Sequence, residues 1–211
     1  VADNGSLDGR IEDHGVIDEL LTLDVGIKMS SALESALAQN LLHRDLKPAN
    51  ILFNKENEPK LVDFGLAVNA DADQDVHGTV WGTPYYIAPE KVKREGETFL
   101  SDMYSLAGTL YHALTGHVPF EAPSIEEVVA AHVHTDLTPP NHVVQSITQP
   151  TSDAIYRAMA KEPSHRYQSY GEFIMALENA RSQLLVNQMR SGVAAAAVPP
   201  SEASGKGWFR R

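Results

Sequence analysis

His43-Arg44-Asp45-Leu46-Lys47-Pro48-Ala49-Asn50, followed by Asp63-Phe64-Gly65 and then by Ala88-Pro89-Glu90, is the part of the chain from which the rest is read. Asp45 sits in a loop that can present its carboxylate to the proton of a hydroxyl nucleophile, the placement a general base needs. The amide oxygen of Asn50 and the carboxylate of Asp63 are hard oxygen donors suited to magnesium, with waters and phosphate oxygens completing the octahedron. Lys47, two residues after Asp45, is a cation able to neutralise charge on a phosphoryl group as it moves. Phe64 is expected to pack inward and hold Asp63, and Gly65 to give the backbone freedom to turn at the start of a segment expected to be mobile. Together these groups are what phosphoryl transfer to a hydroxyl requires.

The surrounding pattern is helical. Ser6 is placed to cap a short helix running to His14, and Asp18 to cap a long one reaching about Gln39. In the long one Leu21, Val25, Met29, Ala32 and Ala36 recur at helical spacing and predict a wide face against the core. Ile51-Leu52-Phe53 and Lys60-Leu61-Val62 flank a polar turn and predict a hairpin that sets Asn50 near Asp63. Asp102 to Thr115 is apolar nearly all round and predicts a central buried helix ending at Gly116. Three more helices are expected over Ser124–His132, Thr151–Ala160 and Ser169–Asn187, separated by Pro139-Pro140 and by Glu162-Pro163-Ser164.

Composition bounds the function. At 211 residues and 43% hydrophobic, the chain can bury a substantial core. It has no cysteine, which excludes disulfides and thiolate metal sites and is compatible with a reducing cytoplasm. A net charge of −11 argues against nucleic acid as a partner, because phosphate binding needs a basic surface. His132-Val133-His134 is a weak metal motif, since a spacing of two on a helix end points the rings apart. Tyr85-Tyr86 is expected to pack onto the body of the fold rather than to serve as a recognition surface.

The three motifs in this order, with Asp102-Met103-Tyr104-Ser105-Leu106 behind them as a fourth, resemble the eukaryotic-like (Hanks-type) protein serine/threonine kinases of bacteria. The resemblance implies a mainly α chain of an α+β family fold: a protein-kinase-like C-lobe, a helical bundle with a small β-hairpin beside the catalytic loop. It implies ATP and Mg2+ as cofactors, and transfer of the γ-phosphate to Ser/Thr hydroxyls of protein substrates in signal transduction. By position, Asp45 and Lys47 are the catalytic pair, Lys47 also contacting nucleotide. Asn50 and Asp63 hold magnesium, and Leu52 lies beneath the adenine ring.

The same resemblance gives His43 and Phe64 places in a buried spine, and makes Asp102 the anchor of the catalytic loop. Glu90 and Arg166 match a buried ion pair that braces the substrate-binding loop. Lys47 together with Thr83 in Gly82-Thr83-Pro84-Tyr85 is similar to the serine/threonine rather than the tyrosine pattern. Arg44, just before Asp45, marks members whose activation segment is ordered by phosphorylation, because a phosphate gives an arginine a dianionic partner. Of the threonines available, Thr79 is the better phosphosite and Thr83 a structural hydroxyl.

A Gly-rich loop, a V-A-I-K lysine and its glutamate partner are not found in these 211 residues, and Val1 to Leu7 resemble the end of the hinge between kinase lobes. Residues 1–190 are therefore expected to form the larger lobe, with the N-lobe as a missing partner, an apolar upper face prone to association, and little or no phosphotransfer by the chain alone. A non-catalytic one-lobe binding module stays open as the alternative, although intact Asp45, Asn50 and Asp63 favour the enzyme. Residues 191–211 read as a flexible Gly/Ala/Pro/Ser tail. Its Trp208-Phe209-Arg210-Arg211 end fits a juxtamembrane linker to a membrane anchor beyond the C-terminus, with the lobe in the cytoplasm; a linker with no membrane partner fits equally.

Overall fold

In the computed structural model, which describes residues 4–63, 68–69 and 84–196, the first helices begin where the sequence places a cap. Ser6 Oγ accepts from the Gly9 N–H at 3.0 Å to open α1 (Leu7–His14). Asp18 Oδ1 accepts from the Leu21 N–H at 3.1 Å to open α2 (Glu19–Leu37). Each side chain satisfies a first-turn donor that has no partner within its helix. The chain leaves α2 through Asn40, whose φ of 61° turns it into β1 (Leu41–Leu42).

Two small antiparallel pairs follow. β1 pairs with β4 (Val68–Asn69), and β2 (Ile51–Phe53) pairs with β3 (Pro59–Leu61) in the register Ile51↔Leu61, Leu52↔Lys60, Phe53↔Pro59. The second hairpin strand thus begins one residue earlier than expected. Val62 still extends the ladder, because its N–H donates to the Asn50 carbonyl at 3.0 Å. Before α1, the Asn4 N–H donates to Phe53 O at 3.1 Å and the Phe53 N–H to Gly5 O at 2.9 Å, so the first described residues lie along β2.

The helical body comprises α3 (Pro89–Lys93), α4 (Phe99–Thr115), α5 (Ile125–His134), α6 (Pro140–Val143), α7 (Gln149–Ala158) and α8 (Tyr170–Ala196). Helix α4 begins three residues before the expected Asp102. Thr98 Oγ1 accepts from the Leu100 N–H at 3.2 Å while Ser101 Oγ accepts from the Thr98 N–H at 3.2 Å, a reciprocal cap closed by serine rather than the usual Glu or Gln. It ends as expected at Gly116, whose φ is 73° and whose N–H donates to His112 O at 2.8 Å. The short α3 and α6, not anticipated from the sequence, each begin with proline at the first helical position, where a missing N–H costs nothing.

Helix α8 differs most from expectation. It was expected to stop at Asn187, with the tail beginning at Ser191, yet it continues to Ala196. Extending an existing helix adds a hydrogen bond per residue without a new nucleus, and alanine is the best helix former, so Ala194-Ala195-Ala196 need no tertiary burial to continue the turn.

The core lies around α4, with Met103, Tyr104, Leu106, Ala107 and Leu110 at 0–1% exposure. Helix α2 packs on α4 and α8, and α7 packs on both of these. The buried face of α2 takes in Val25, Met29 and Ala36 of the expected stripe and widens from them to Leu23, Gly26, Ser30 and Leu33, while Leu21 and Ala32 are half-buried. Gly26 explains the widening. A Cβ there would come within 2.8 Å of Leu110 Cδ1 and 3.0 Å of Leu177 Cδ1, which marks it as the point of closest approach to α4 and α8. Between the second half of α2 and β3 runs a groove of about 640 Å3, lined by Ile27, Met29, Ala32, Leu41 and Leu61 with Lys28 and Glu58 paired at 3.7 Å.

Candidate active site

The loop after β1 is held first by its main chain. Asp102, on the first turn of α4 and 3% exposed, accepts from the His43 N–H at 2.7 Å through Oδ2 and from the Arg44 N–H at 2.8 Å through Oδ1. Arg44 has a φ of 67°, a left-handed conformation disfavoured for a residue with a side chain, and this double bond braces it. Burial pushes the Asp102 carboxyl above its usual range, and the two N–H donors partly offset that.

Asp45 follows, and two side chains gather on it through three hydrogen bonds. Lys47 Nζ donates to Asp45 Oδ2 at 2.6 Å, and Asn50 Nδ2 donates to the Asp45 carbonyl at 2.8 Å and to Asp45 Oδ2 at 3.3 Å. With its donor nitrogen committed to Asp45, Asn50 retains Oδ1 as the atom for a cation, which is the orientation a magnesium ligand requires.

Asp63 is placed indirectly. Val62, just before it, donates its N–H to Asn50 O at 3.0 Å, and its carbonyl lies 3.0 Å from His43 Nε2. With the proton on Nε2, His43 donates to Val62 O, and its Nδ1 receives the Asp45 N–H at 3.4 Å. The fully buried imidazole thus joins the loop carrying Asp45 to the strand end carrying Asp63. Asp63 itself is exposed, at a φ of 63°. Leu52 sits at the middle of β2, half-buried on the face opposite the fully buried Ile51 and Phe53. Phe64, Gly65, Thr79 and Thr83 lie outside the described residues.

Glu90 and Arg166 form the expected pair, and the surroundings explain why an arginine is needed. Arg166 is 0% exposed and donates from Nη1 to Glu90 Oε1 and from Nη2 to Glu90 Oε2, both at 2.7 Å. Its remaining donors reach Ala160 O at 2.8 Å, Leu100 O at 2.8 Å and Lys161 O at 3.1 Å, while the Tyr104 ring lies 4.9 Å from its guanidinium carbon. All five N–H groups are used. Burial alone would raise the Glu90 carboxyl, but the Arg166 guanidinium outweighs it and holds the group below the usual range, helped by Ser101 Oγ donating to Oε1 at 2.8 Å.

Several participants were missed from sequence. Glu97 Oε2 lies 3.7 Å from Arg44 Nε and 3.4 Å from Lys91 Nζ, and Lys91 Nζ donates to Arg44 O at 3.2 Å. Lys161 Nζ caps α5 through His132 O at 2.9 Å and Ala131 O at 3.2 Å and stands 4.2 Å from the Phe120 ring centre; burial lowers its pKa to about 8. Nothing local announces these residues, because their partners are distant in sequence. His132 is enclosed by Tyr104 and Phe120, with the Tyr104 hydroxyl 2.9 Å from its Nδ1. Of the Tyr85-Tyr86 pair, Tyr86 packs as expected, 6% exposed with its hydroxyl 2.8 Å from His112 Nδ1, whereas Tyr85 is 39% exposed.

Comparison with known proteins follows the same residues. The family described as "Protein kinase domain" matches residues 1–178. The chain is 41% identical over 162 residues to the serine/threonine-protein kinase PknK of Mycobacterium tuberculosis, covering 76% of this chain and 15% of that one. It is 36% identical over 172 residues to a probable serine/threonine-protein kinase of Clostridium perfringens, 81% of this chain and 25% of the relative. With PknH of M. tuberculosis it shares 34% over 178 residues, 83% of this chain and 28% of that one. The chain therefore spans less than a third of the length of these relatives. Among the described residues no helix is long and apolar enough to cross a membrane.

Proposed function

Because the chain belongs to the protein kinase family, in its eukaryotic-like bacterial serine/threonine branch, we propose that it supplies the larger lobe of an ATP- and magnesium-dependent kinase acting on Ser/Thr hydroxyls of proteins. The observation that carries this reading is the gathering of Lys47 and Asn50 on Asp45, with Asp63 tied to the same loop through Val62. Magnesium-bound ATP brings the phosphoryl group and screens its charge. Asn50 Oδ1 and the Asp63 carboxylate are the groups that would hold the cation, which would supply charge neutralisation at the phosphates. Asp45 orients the acceptor hydroxyl and takes its proton as the oxygen bonds to the γ-phosphorus, while the bond from that phosphorus to the β–γ bridging oxygen breaks and ADP departs. Lys47, paired with Asp45 before substrate arrives, turns to the transferring group.

The glycine-rich loop and strand lysine that clamp nucleotide in this family are not in these 211 residues. We therefore expect the isolated chain to transfer phosphate poorly or not at all, the N-lobe being its first partner and cytoplasmic ATP its co-substrate. The test is ATP-dependent phosphorylation of Ser/Thr peptides by the full-length gene product. Asp45→Asn should lower the rate by roughly 10²–10⁴-fold. A full-length product as active with Asp45→Asn as without it would overturn the assignment.

A further inference from the structure

The arginine before the catalytic aspartate already has an anion. Arg44, Lys91 and Glu97 converge with side chains each 16% exposed, the two cations 3.7 Å and 3.4 Å from Glu97 Oε2. Arg44 is consequently held at three points: its N–H and its carbonyl by hydrogen bonds with Asp102 and Lys91 Nζ, and its guanidinium by an ion pair with Glu97 at 3.7 Å in which the buried Nε makes no hydrogen bond among the described residues. Asp45 is the next residue.

Charge count gives the cluster its meaning. Among the described residues two cations, Arg44 and Lys91, face two carboxylates, Glu97 and Asp102, so their formal charges balance. A phosphate would add nearly two negative charges beside the buried Asp102. Glu97 is also presented deliberately by the backbone. Gly96 before it has a φ of 104°, a conformation that side-chain-bearing residues rarely adopt.

We propose that Glu97 is a positioning residue: an internal anion that occupies the Arg44–Lys91 pair and orders the catalytic loop in the role the family resemblance gives to an activation-segment phosphate. Its catalytic consequence rests on the kinase reading; its anion-binding consequence does not. The catalytic loop is then set without phosphorylation, and an incoming phosphate must displace Glu97.

Thermal unfolding of the 211-residue chain in sodium phosphate against sodium chloride at matched ionic strength tests this. Wild type should show no phosphate-specific shift. Glu97→Gln should melt lower in chloride and regain roughly 3 °C or more in phosphate, the response expected for an anion binding at about ten times its Kd. Arg44→Gln added to Glu97→Gln should abolish that response. A Glu97→Gln chain no more sensitive to phosphate than wild type overturns the proposal. If Glu97→Gln does not fold in either salt, calorimetric titration of wild type with phosphate decides: no binding supports the proposal, and binding that Arg44→Gln removes overturns it. In the full-length product, phosphatase treatment should spare wild-type kcat and lower that of Glu97→Gln about 10-fold or more at unchanged KM for ATP. A wild type inactive in every form would refute the kinase reading while leaving the phosphate result to stand.

Discussion

Replacing Arg166 with methionine keeps much of the side-chain volume and removes the five N–H donors shared between Glu90 and three carbonyls. Glu90, 5% exposed, would keep only the Ser101 hydroxyl as a side-chain partner. Breaking a buried ion pair from one side costs about 3–5 kcal/mol. The half-buried carbonyls of Ala160 and Lys161 also lose the guanidinium, which adds to the loss, since an acceptor left unsatisfied costs about 1–3 kcal/mol when fully buried. For a chain of this size, a loss of 3–5 kcal/mol lowers Tm by roughly 6–20 °C. Circular dichroism on Arg166→Met, Glu90→Gln and the double variant would measure it. The double variant should recover at least about 0.5–3 kcal/mol relative to the sum of the singles. The pair should also shape the acid limb. Because Glu90 ionises below its unfolded value, its contribution is full above that value and is lost as pH falls through the folded one, so Arg166→Met should flatten this part of the profile. An Arg166→Met chain within about 1 kcal/mol of wild type, or strict additivity in the double variant, would refute the reasoning.

Gly26→Val should cost about 1–3 kcal/mol by urea unfolding, through overpacking against Leu110 and Leu177, whereas Gly26→Ala should lie near neutral because the atoms met are leucine side-chain ends and alanine gains about 1 kcal/mol of helix propensity. For Lys161, the folded pKa of about 8 lies below the unfolded 10.5, so the unfolded chain binds more protons across that window and stability should rise with pH from about 8. Lys161→Met should remove that rise in a pH series of urea midpoints.

The motifs that decide the fold are those whose chemistry is local. His43 to Asn50 announces itself because the base, cation and metal ligand proposed for it would have to stand within one loop, and Ser6, Asp18 and Gly116 announce helix ends because a cap acts on its own first or last turn. Legibility stops where the partner is far along the chain. Glu97 reads as one acid among many until the fold brings it to Arg44, and Lys161 as a surface cation until it caps α5. Helix extents failed for a related reason. The face of α2 is set by where Leu110 and Leu177 approach Gly26, and α8 runs beyond Ser191 because it is already wound there, neither of which periodicity records.

Val62 carries no side-chain chemistry, yet its peptide units join the Asn50 carbonyl to the His43 ring and so fix the residue after it. The instruction at this position is written in the main chain. Comparing side chains across a family is blind to it: many residues could stand at position 62 and keep both bonds, while proline, lacking the N–H, is barred. A position that tolerates many replacements is therefore not a position without a function, and a substitution survey here would register its importance in a single forbidden letter.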